Sequence, residues 1–199
     1  MKVQSTTFRQ GEAIPETMVF NGMGRTGENR SPQLSWSDVP DGTKSFAVVI
    51  HDPDAPTSGG FYHWVLFNIP GDVRELALGA GTGEIEKTGA VHGHTDFGTH
   101  EYGGPCPPPG PAHHYNLTLY ALGTDRLPLD GTTTGAKLEF MTIAHRLATA
   151  HLTGLYKSEG PAPVVDKTGR GIVGDPSDVP SDEGGTSDAS NWPHEDVKP

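Results

Sequence analysis

The sequence predicts a mainly β fold with largely antiparallel strands. It contains 27 glycines and 18 prolines among 199 residues, and 33% of its residues are hydrophobic. This composition favours short strands and turns over long helices. Three apolar segments have the character of core strands, and no helical pattern separates consecutive ones, which favours antiparallel pairing.

The three strand segments are predicted at 45–52, 63–70 and 114–123. SFAVVIHD is apolar on both faces, as expected of a central strand, and HWVLFNIP resembles it. HYNLTLYALG begins with apolar residues interleaved with polar ones, as strands do. Together these segments predict the core of a sheet.

One further segment predicts a helix at about 136–153. In GAKLEFMTIAHRLATAHLTGLY the apolar residues recur close to every 3.6 positions, and a glycine stands just before its start. His145 and His151 are six positions apart, so they do not share a helix face as a metal-binding pair would. We interpret both as packing or capping residues.

Composition divides the chain into a domain, residues 1–158, and an acidic tail, residues 159–199. The tail contains nine acidic and three basic residues, is rich in Gly, Pro, Asp and Ser, and has no periodic pattern. It cannot bury enough apolar surface to offset its ordering entropy, so we predict that it is flexible. The alternative is a clamp or autoinhibitory segment anchored by PAPVV and Trp192.

The net charge of −11 argues against partners that need a basic surface, such as nucleic acid or an anionic membrane. No apolar run approaches the roughly 20 residues that cross a bilayer, and MKVQSTTFRQ lacks the apolar centre of a secretory signal. We therefore expect a cytoplasmic protein without integral membrane contact. Cys106 is the single cysteine, so no intramolecular disulfide is expected.

Two features at strand ends predict a small polar pocket. HDPDAP ends the first strand segment, and its prolines hold Asp52 and Asp54 on a stiff turn. His63 begins the second segment, and beside a carboxylate its imidazolium could donate to an anion. The alternatives are a turn that only ends a strand and a structural histidine.

Residues 96–115, DFGTHEYGGPCPPPGPAHHY, predict a rigid wall for that pocket. The glycines allow a ligand to approach the backbone, their N–H groups could line an anion-binding concavity, and the prolines stiffen the segment. Because strand side chains alternate, His113 and Tyr115 point one way and His114 the other. One face therefore presents an imidazole and a phenol together.

The same region offers two other kinds of site. HGH followed by Asp96 could supply two nitrogens and a carboxylate to a metal, but the spacing matches no established motif, so no metal site is predicted. Cys106 lies between two prolines without a basic neighbour in sequence, which argues against a catalytic thiol. The chain contains no G-x-S-x-G elbow, Walker loop or dinucleotide fingerprint, so we expect no cofactor.

Five motifs together carry a family resemblance. They are SPQLSW (31–36), DPDAP (52–56), HWVLFNIP (63–70), DFG…YGGPCPPPG (96–110) and HHYNLTLYAL (113–122). In this order and spacing the chain resembles the phosphatidylethanolamine-binding proteins, specifically the bacterial and archaeal branch often labelled Raf-kinase-inhibitor-like, over residues 3–157. The resemblance implies a large antiparallel sheet packed on a smaller one, one C-terminal helix and a small pocket for phosphate-like anions.

Carried over to this sequence, the resemblance implies the following anion-binding residues: Asp52, Asp54, His63, Gly103, Gly104, Pro105, His113 and Tyr115. In that pocket His63 and His113 would donate to the anion, the glycine-loop N–H groups would add donors, and Asp52 would orient a histidine. Three departures from the family pattern are present. His114 replaces an arginine, Glu101 replaces a small residue, and the acidic tail has no counterpart.

The predicted function is a non-enzymatic binding module for a small phosphorylated or otherwise anionic ligand, which could regulate a phosphorylated or kinase-type partner as the family label implies. A protein partner and a homodimer are left open. The alternative is a hydrolase that uses Asp52, His63 and His113 for acid–base catalysis, against which the absence of an activated nucleophile argues. Metal binding through HGHTD is the third hypothesis.

Overall fold

A computed structural model describes residues 1–82 and 84–159, with residue 84 described by its backbone only, and the backbone of 164–165 and 171–172. The predicted flexible tail, 159–199, lies outside the described residues, apart from Glu159 at its start and two short paired strands. No helix within the described residues is both long and apolar enough to span a membrane.

The described elements are twelve strands, one α-helix and one 3-10 helix. The strands are β1 (Lys2–Gln4), β2 (Asn21–Gly22), β3 (Arg25–Thr26), β4 (Leu34–Ser37), β5 (Ser45–Asp52), β6 (Phe61–Pro70), β7 (Glu75–Leu76), β8 (Val91–His92), β9 (His113–Leu122), β10 (Arg146–Tyr156), β11 (Val164–Val165) and β12 (Gly171–Ile172). The α-helix, α1, is Gly135–Thr142, and the 3-10 helix is Glu84–Thr88.

Two antiparallel sheets form the body of the fold. The larger sheet has the order β10-β9-β5-β6-β8, and the smaller has the order β1-β4-β7. One face of the larger sheet packs with the smaller sheet around Phe46, Trp64 and Trp36, and the other face packs with α1 around Phe67 and Leu138. The central strands are therefore apolar on both faces, and the predicted large sheet on a smaller one is confirmed.

The predicted helix at 136–153 is confirmed only over its first part. Helix α1 begins after Thr134, whose side-chain oxygen accepts a hydrogen bond from the Lys137 N–H, and it ends at Thr142. Residues 146–156 form the longest strand, β10, which pairs with β9 along its whole length. Its buried residues alternate at Ala150, Leu152 and Gly154, because the small and apolar residues of this segment fit a period of 2 as well as one of 3.6.

The sheet order determines where the candidate site forms. Strand β5 ends at Asp52, and its two neighbours begin at the same end of the sheet, β6 with Phe61 and β9 with His113. Side chains at alternate positions of a strand share a face. The antiparallel topology thus brings four side chains together at one end of the central strands of the larger sheet: Asp52, His63, His113 and Tyr115.

Candidate functional site

A buried carboxylate–imidazole pair lies at this end of the central strands. Asp52 is only 2% exposed, and its Oδ2 lies 2.7 Å from Nδ1 of His113. Its Oδ1 accepts a hydrogen bond of 2.9 Å from the backbone N–H of Asp54, which holds the carboxylate on the turn. Asp52 therefore orients His113, and the Nε2 of His113 has no hydrogen-bond partner within the described part of the chain.

His63 is held by the backbone of the glycine-rich segment. Its Nδ1 lies 2.8 Å from the carbonyl oxygen of Gly103 and 3.1 Å from that of Gly104. Because a carbonyl oxygen can only accept, Nδ1 must carry the proton. Complete burial lowers the pKa of His63 to about 4, and this outweighs the opposing effects of the carbonyls and of nearby acidic side chains.

At neutral pH His63 is consequently an uncharged imidazole whose Nε2 presents a lone pair. No hydrogen bond to this Nε2 is made by any residue that the structure describes. This protonation state differs from the expectation that a positively charged His63 donates to an anion, which stays a prediction. The physical reason is that the ring is too deeply buried to hold a charge near pH 7.

Tyr115 carries a buried hydroxyl without a well-formed hydrogen bond to any residue that the structure describes. The residue is 2% exposed, and its hydroxyl makes no hydrogen bond of acceptable geometry among the described residues, although it lies near the Asp52 carboxylate. Its ring packs edge-on against His63 at 5.0 Å between centroids. Burial, with Asp52 as a smaller cause, raises the pKa of Tyr115 far above its ordinary value, so the hydroxyl keeps its hydrogen. The predicted alternation holds: His113 and Tyr115 are buried and His114 is exposed.

The segment Gly103–Pro105 forms a wall of the site, but its N–H groups are not available to a ligand. The Gly103 N–H donates to the carbonyl of His63 at 2.9 Å, and the Gly104 N–H donates to Oδ1 of Asn29 at 2.8 Å. Proline has no N–H to offer. The predicted glycine-lined anion concavity is thus wrong, because the fold has already used these donors.

These two glycines are needed for close packing instead. A Cβ on Gly103 would collide with the ring of Phe97, and a Cβ on Gly104 would collide with the carbonyl oxygen of Met18. The Pro105 carbonyl accepts a hydrogen bond of 3.1 Å from the N–H of Phe20. The wall is therefore fixed by contacts with the segment around residues 18–20.

Asp54 lies outside the pocket. Its Oδ2 accepts hydrogen bonds from the backbone N–H of His114 at 2.8 Å and from the His114 Nδ1 at 2.7 Å, and both side chains are substantially exposed. These two hydrogen bonds lower the pKa of Asp54. Asp54 and His114 thus form a surface pair that connects the start of β9 to the turn after β5. The side chain of Glu101, the second departure from the family pattern, is also exposed. The place of Asp54 among the anion-binding residues stays a prediction.

A half-buried aromatic group borders the site, and sequence reasoning missed it. Phe97 stacks on Phe20 at 4.5 Å between ring centroids and meets Phe61 edge-on at 4.8 Å. Phe61 and Phe97 both contact the ring of His63, at 5.1 and 5.3 Å. The position of Phe61 two residues before His63, on the same strand face, was the one available signal.

Cys106 has a basic neighbour that the sequence did not reveal. Arg25, on the β2–β3 hairpin, donates to the carbonyl of Pro107 at 3.2 Å and acts on the thiol of Cys106. Burial nevertheless raises the pKa of Cys106, and the guanidinium opposes this only partly. The thiol is therefore not activated as a nucleophile.

The HGHTD segment does not gather a metal-ligand set. Within the described residues no group of three or more His, Cys, Asp and Glu side chains is placed to hold an ion. Asp96 instead accepts a hydrogen bond of 2.7 Å from the backbone N–H of Tyr62. His92 is buried, and neither of its ring nitrogens has a hydrogen-bond partner among the described residues.

Comparison with known sequences decides the family. A sequence model described as phosphatidylethanolamine-binding protein matches residues 4–157. The chain belongs to this family. The match covers the larger sheet, the smaller sheet except for the first two residues of β1, α1 and all the candidate site residues, as the motif resemblance predicts.

Curated relatives and a solved structure agree with this assignment. UPF0098 protein YbcL of Escherichia coli is 45% identical over 159 residues, which cover 78% of this chain and 87% of that protein. UPF0098 protein YbhB of the same organism is 45% identical over 157 residues, covering 78% and 99%. The crystal structure of E. coli YbcL, described as a member of the mammalian PEBP family, has a TM-score of 0.76 and covers 79% of this chain and 98% of that one.

Proposed function

We propose that this member of the phosphatidylethanolamine-binding protein family is a non-enzymatic module that binds a small phosphate-type anion between His63, His113 and Tyr115. The observation that carries the proposal is the Tyr115 hydroxyl, which is buried and has no well-formed hydrogen bond within the described part of the chain. Such a group costs about 1–3 kcal/mol unless something bonds to it. A ligand oxygen supplies that missing partner.

Binding at this site relies on hydrogen bonds rather than on an excess of positive charge. The Asp52 carboxylate orients His113 so that its Nε2 contacts the ligand, and the Tyr115 hydroxyl donates a hydrogen bond to it. Hydrogen bonds with a charged partner contribute about 1.5–3 kcal/mol each, and two or three of them correspond to dissociation constants between millimolar and micromolar. The rings of Phe61 and Phe97 contact the His63 ring and give the proposed site an apolar border.

The finer functional statements rest on the family and on charge. The family name supports a phosphate-bearing ligand. A regulated protein partner rests only on the motif resemblance to the Raf-kinase-inhibitor-like branch. The net charge of −11 supports a protein that avoids anionic surfaces. No described residue argues for a particular kinase.

A titration with inorganic phosphate tests the proposal. The full chain is followed by NMR at the imidazole signals of His63 and His113 and at the ring signals of Tyr115. We expect saturable shifts at these residues, and a several-fold weaker dissociation constant in a Tyr115→Phe variant, which keeps the ring but removes the hydroxyl. Unchanged spectra at tens of millimolar phosphate would refute the proposal.

The same samples separate binding from catalysis. A histidine with a pKa of about 4 is a weak general base at neutral pH, which disfavours the hydrolase alternative. We expect no turnover of phosphate esters or carboxylic esters beyond the buffer rate. Turnover that disappears in a His63→Gln variant would instead favour the hydrolase.

A further inference from the structure

We propose that the acidic tail docks back on the domain, where the side chain of Trp192 fills an apolar pocket between the end of α1 and the start of β10. This pocket is far from the candidate ligand site, because the last residue of β10 pairs with His113 whereas its first residue pairs with Leu122. The tail also lies beyond residues 4–157, which the family model matches. The proposal is therefore independent of the proposed anion binding.

An exposed apolar surface, the α1 patch, surrounds the pocket. Four large hydrophobic side chains are exposed in the part of the chain that the structure describes, and three of them form this patch: Phe140 at 71%, Ile143 at 64% and Leu147 at 46%. Single exposed apolar side chains are common on proteins, whereas a contiguous group of them marks an interaction surface. The α1 patch therefore requires an occupant.

The pocket in this patch has the size of one aromatic side chain. Its volume is about 230 Å³, and its lining consists of Phe140, Met141, Ile143, Ala144 and His145. An apolar cavity of about 150 Å³ accommodates benzene, so this pocket is large enough for the indole ring of a tryptophan. Trp192 is the only Phe, Tyr or Trp among residues 160–199. The tail thus contains one side chain that matches the pocket.

The charges around the two surfaces are complementary. Lys137 and Arg146 flank the α1 patch in sequence, and both are exposed. The one acidic residue of α1, Glu139, points to the sheet, where its carboxylate accepts hydrogen bonds from two tyrosine hydroxyls. The residues around Trp192 include five acids: Asp182, Glu183, Asp188, Glu195 and Asp196. Opposite charges around an apolar contact favour this pairing.

The tail is long enough to reach the patch. The patch lies about ten residues back along β10 from Tyr156, which is roughly 33 Å. Trp192 follows Glu159 by 33 residues, and the pairing of Val164 with Ile172 removes eight of them from the span. A flexible segment of about 25 residues has a root-mean-square span of about 25–30 Å and an extended length of about 80 Å.

The short link between the two partners strengthens a weak contact. A ligand joined by a linker whose length matches the span acts at an effective concentration in the millimolar range. A second copy of the chain lacks this advantage. In a twofold contact the patch would face itself, so that Lys137 and Arg146 would meet like charges. The chain's own tail is therefore the occupant that we assign.

Quenching of tryptophan fluorescence by acrylamide tests the docking in the full chain. The other two tryptophans, Trp36 and Trp64, are 5% and 0% exposed, so quenching at low acrylamide concentration reports on Trp192. We expect a quenching constant at least about threefold below that of a free peptide with the sequence of residues 186–199. Equal quenching of the protein and the peptide would overturn the proposal.

Substitutions on the surface locate the docking site. Phe140→Ser, and independently Ile143→Ser, should raise the quenching of Trp192 to within about twofold of the free peptide, because each shortens an exposed side chain that lines the pocket. Met23→Ser is the matched control, since Met23 is the fourth exposed large hydrophobic residue and lies in the turn between β2 and β3. Protection that survives both patch substitutions, or that Met23→Ser removes equally, contradicts docking at this patch.

Two further measurements distinguish the tail from a second copy. In NMR spectra of the full chain, Trp192→Ser should shift the amide signals of residues 140–147 and leave that of Met23 unchanged, and unshifted patch signals would overturn the proposal. In sedimentation velocity, the protection of Trp192 should not depend on any self-association. A dimer that Phe140→Ser abolishes would assign the α1 patch to a second copy and refute docking of the tail.

Discussion

Acidification should destabilise the folded chain through His63 in a predictable pH range. The pKa of this residue falls from 6.5 to about 4 on folding, because the buried ring cannot hold a charge. Between these two values the unfolded chain binds a proton at His63 that the folded chain does not bind. The free energy of unfolding therefore has its full value above about pH 6.5 and decreases as pH falls towards 4. A difference of about 2.5 in pKa corresponds to about 3 kcal/mol at most.

Urea unfolding between pH 4 and pH 8 measures this effect. The three tryptophans provide a fluorescence signal, and the His63→Gln variant removes the titrating group while keeping a donor for the Gly103 carbonyl. We expect the stability advantage of the unaltered protein over the variant to shrink by about 3 kcal/mol from pH 7 to pH 4. Parallel stability curves, or an imidazole signal of His63 that titrates near pH 6.5, would show that the reasoning about its burial is wrong.

Three substitutions test other parts of the structure by thermal or urea unfolding. Tyr115→Phe removes a buried hydroxyl that has no well-formed hydrogen bond among the described residues, so we expect the free energy of unfolding to rise by about 1 kcal/mol while phosphate affinity falls. A clear loss of stability would show that the hydroxyl is already bonded. Gly104→Ala should lower the free energy of unfolding by about 2 kcal/mol or more, because the added Cβ would collide with backbone atoms. Gly110→Ala is the control, since a Cβ there meets open space and should leave stability unchanged. Similar effects at both positions would contradict this packing. Glu139→Ala should lower the free energy of unfolding by about 2–4 kcal/mol, because the Glu139 carboxylate accepts 2.7 Å hydrogen bonds from two tyrosine hydroxyls. A loss no larger than that of Lys137→Ala on the same helix would refute this prediction.

The strands were predictable because their pattern has one interpretation. Runs such as SFAVVIHD are apolar on both faces, and only a central strand of a sheet covered on both sides buries such a segment. The end of the predicted helix was not predictable, since LATAHLTGLY fits two periods. Pairing with β9 decides between them, because it satisfies the backbone donors and acceptors of both strands.

The candidate site was predictable in its residue types but not in their roles. The motifs located Asp52, His63, His113 and Tyr115, and the structure brings all four together at one end of the central strands. Asp54 pairs with His114 at the surface, and a two-residue separation on a turn does not say which carboxylate faces inward. Its exposed pairing with the start of β9 becomes visible only once the sheet is assembled.

The sequence by itself determined the family, the order of the core strands and the set of polar residues near the pocket. Only the tertiary structure decided which hydrogen-bonding groups a ligand can use. The glycine N–H groups are engaged and the Nε2 of His63 is an acceptor, because their partners come from distant segments. Asn29 lies 75 residues from Gly104, and Gly103 lies 40 residues from His63. Protonation and hydrogen-bond availability depend on burial and on such long-range partners, and no local pattern of residues encodes them.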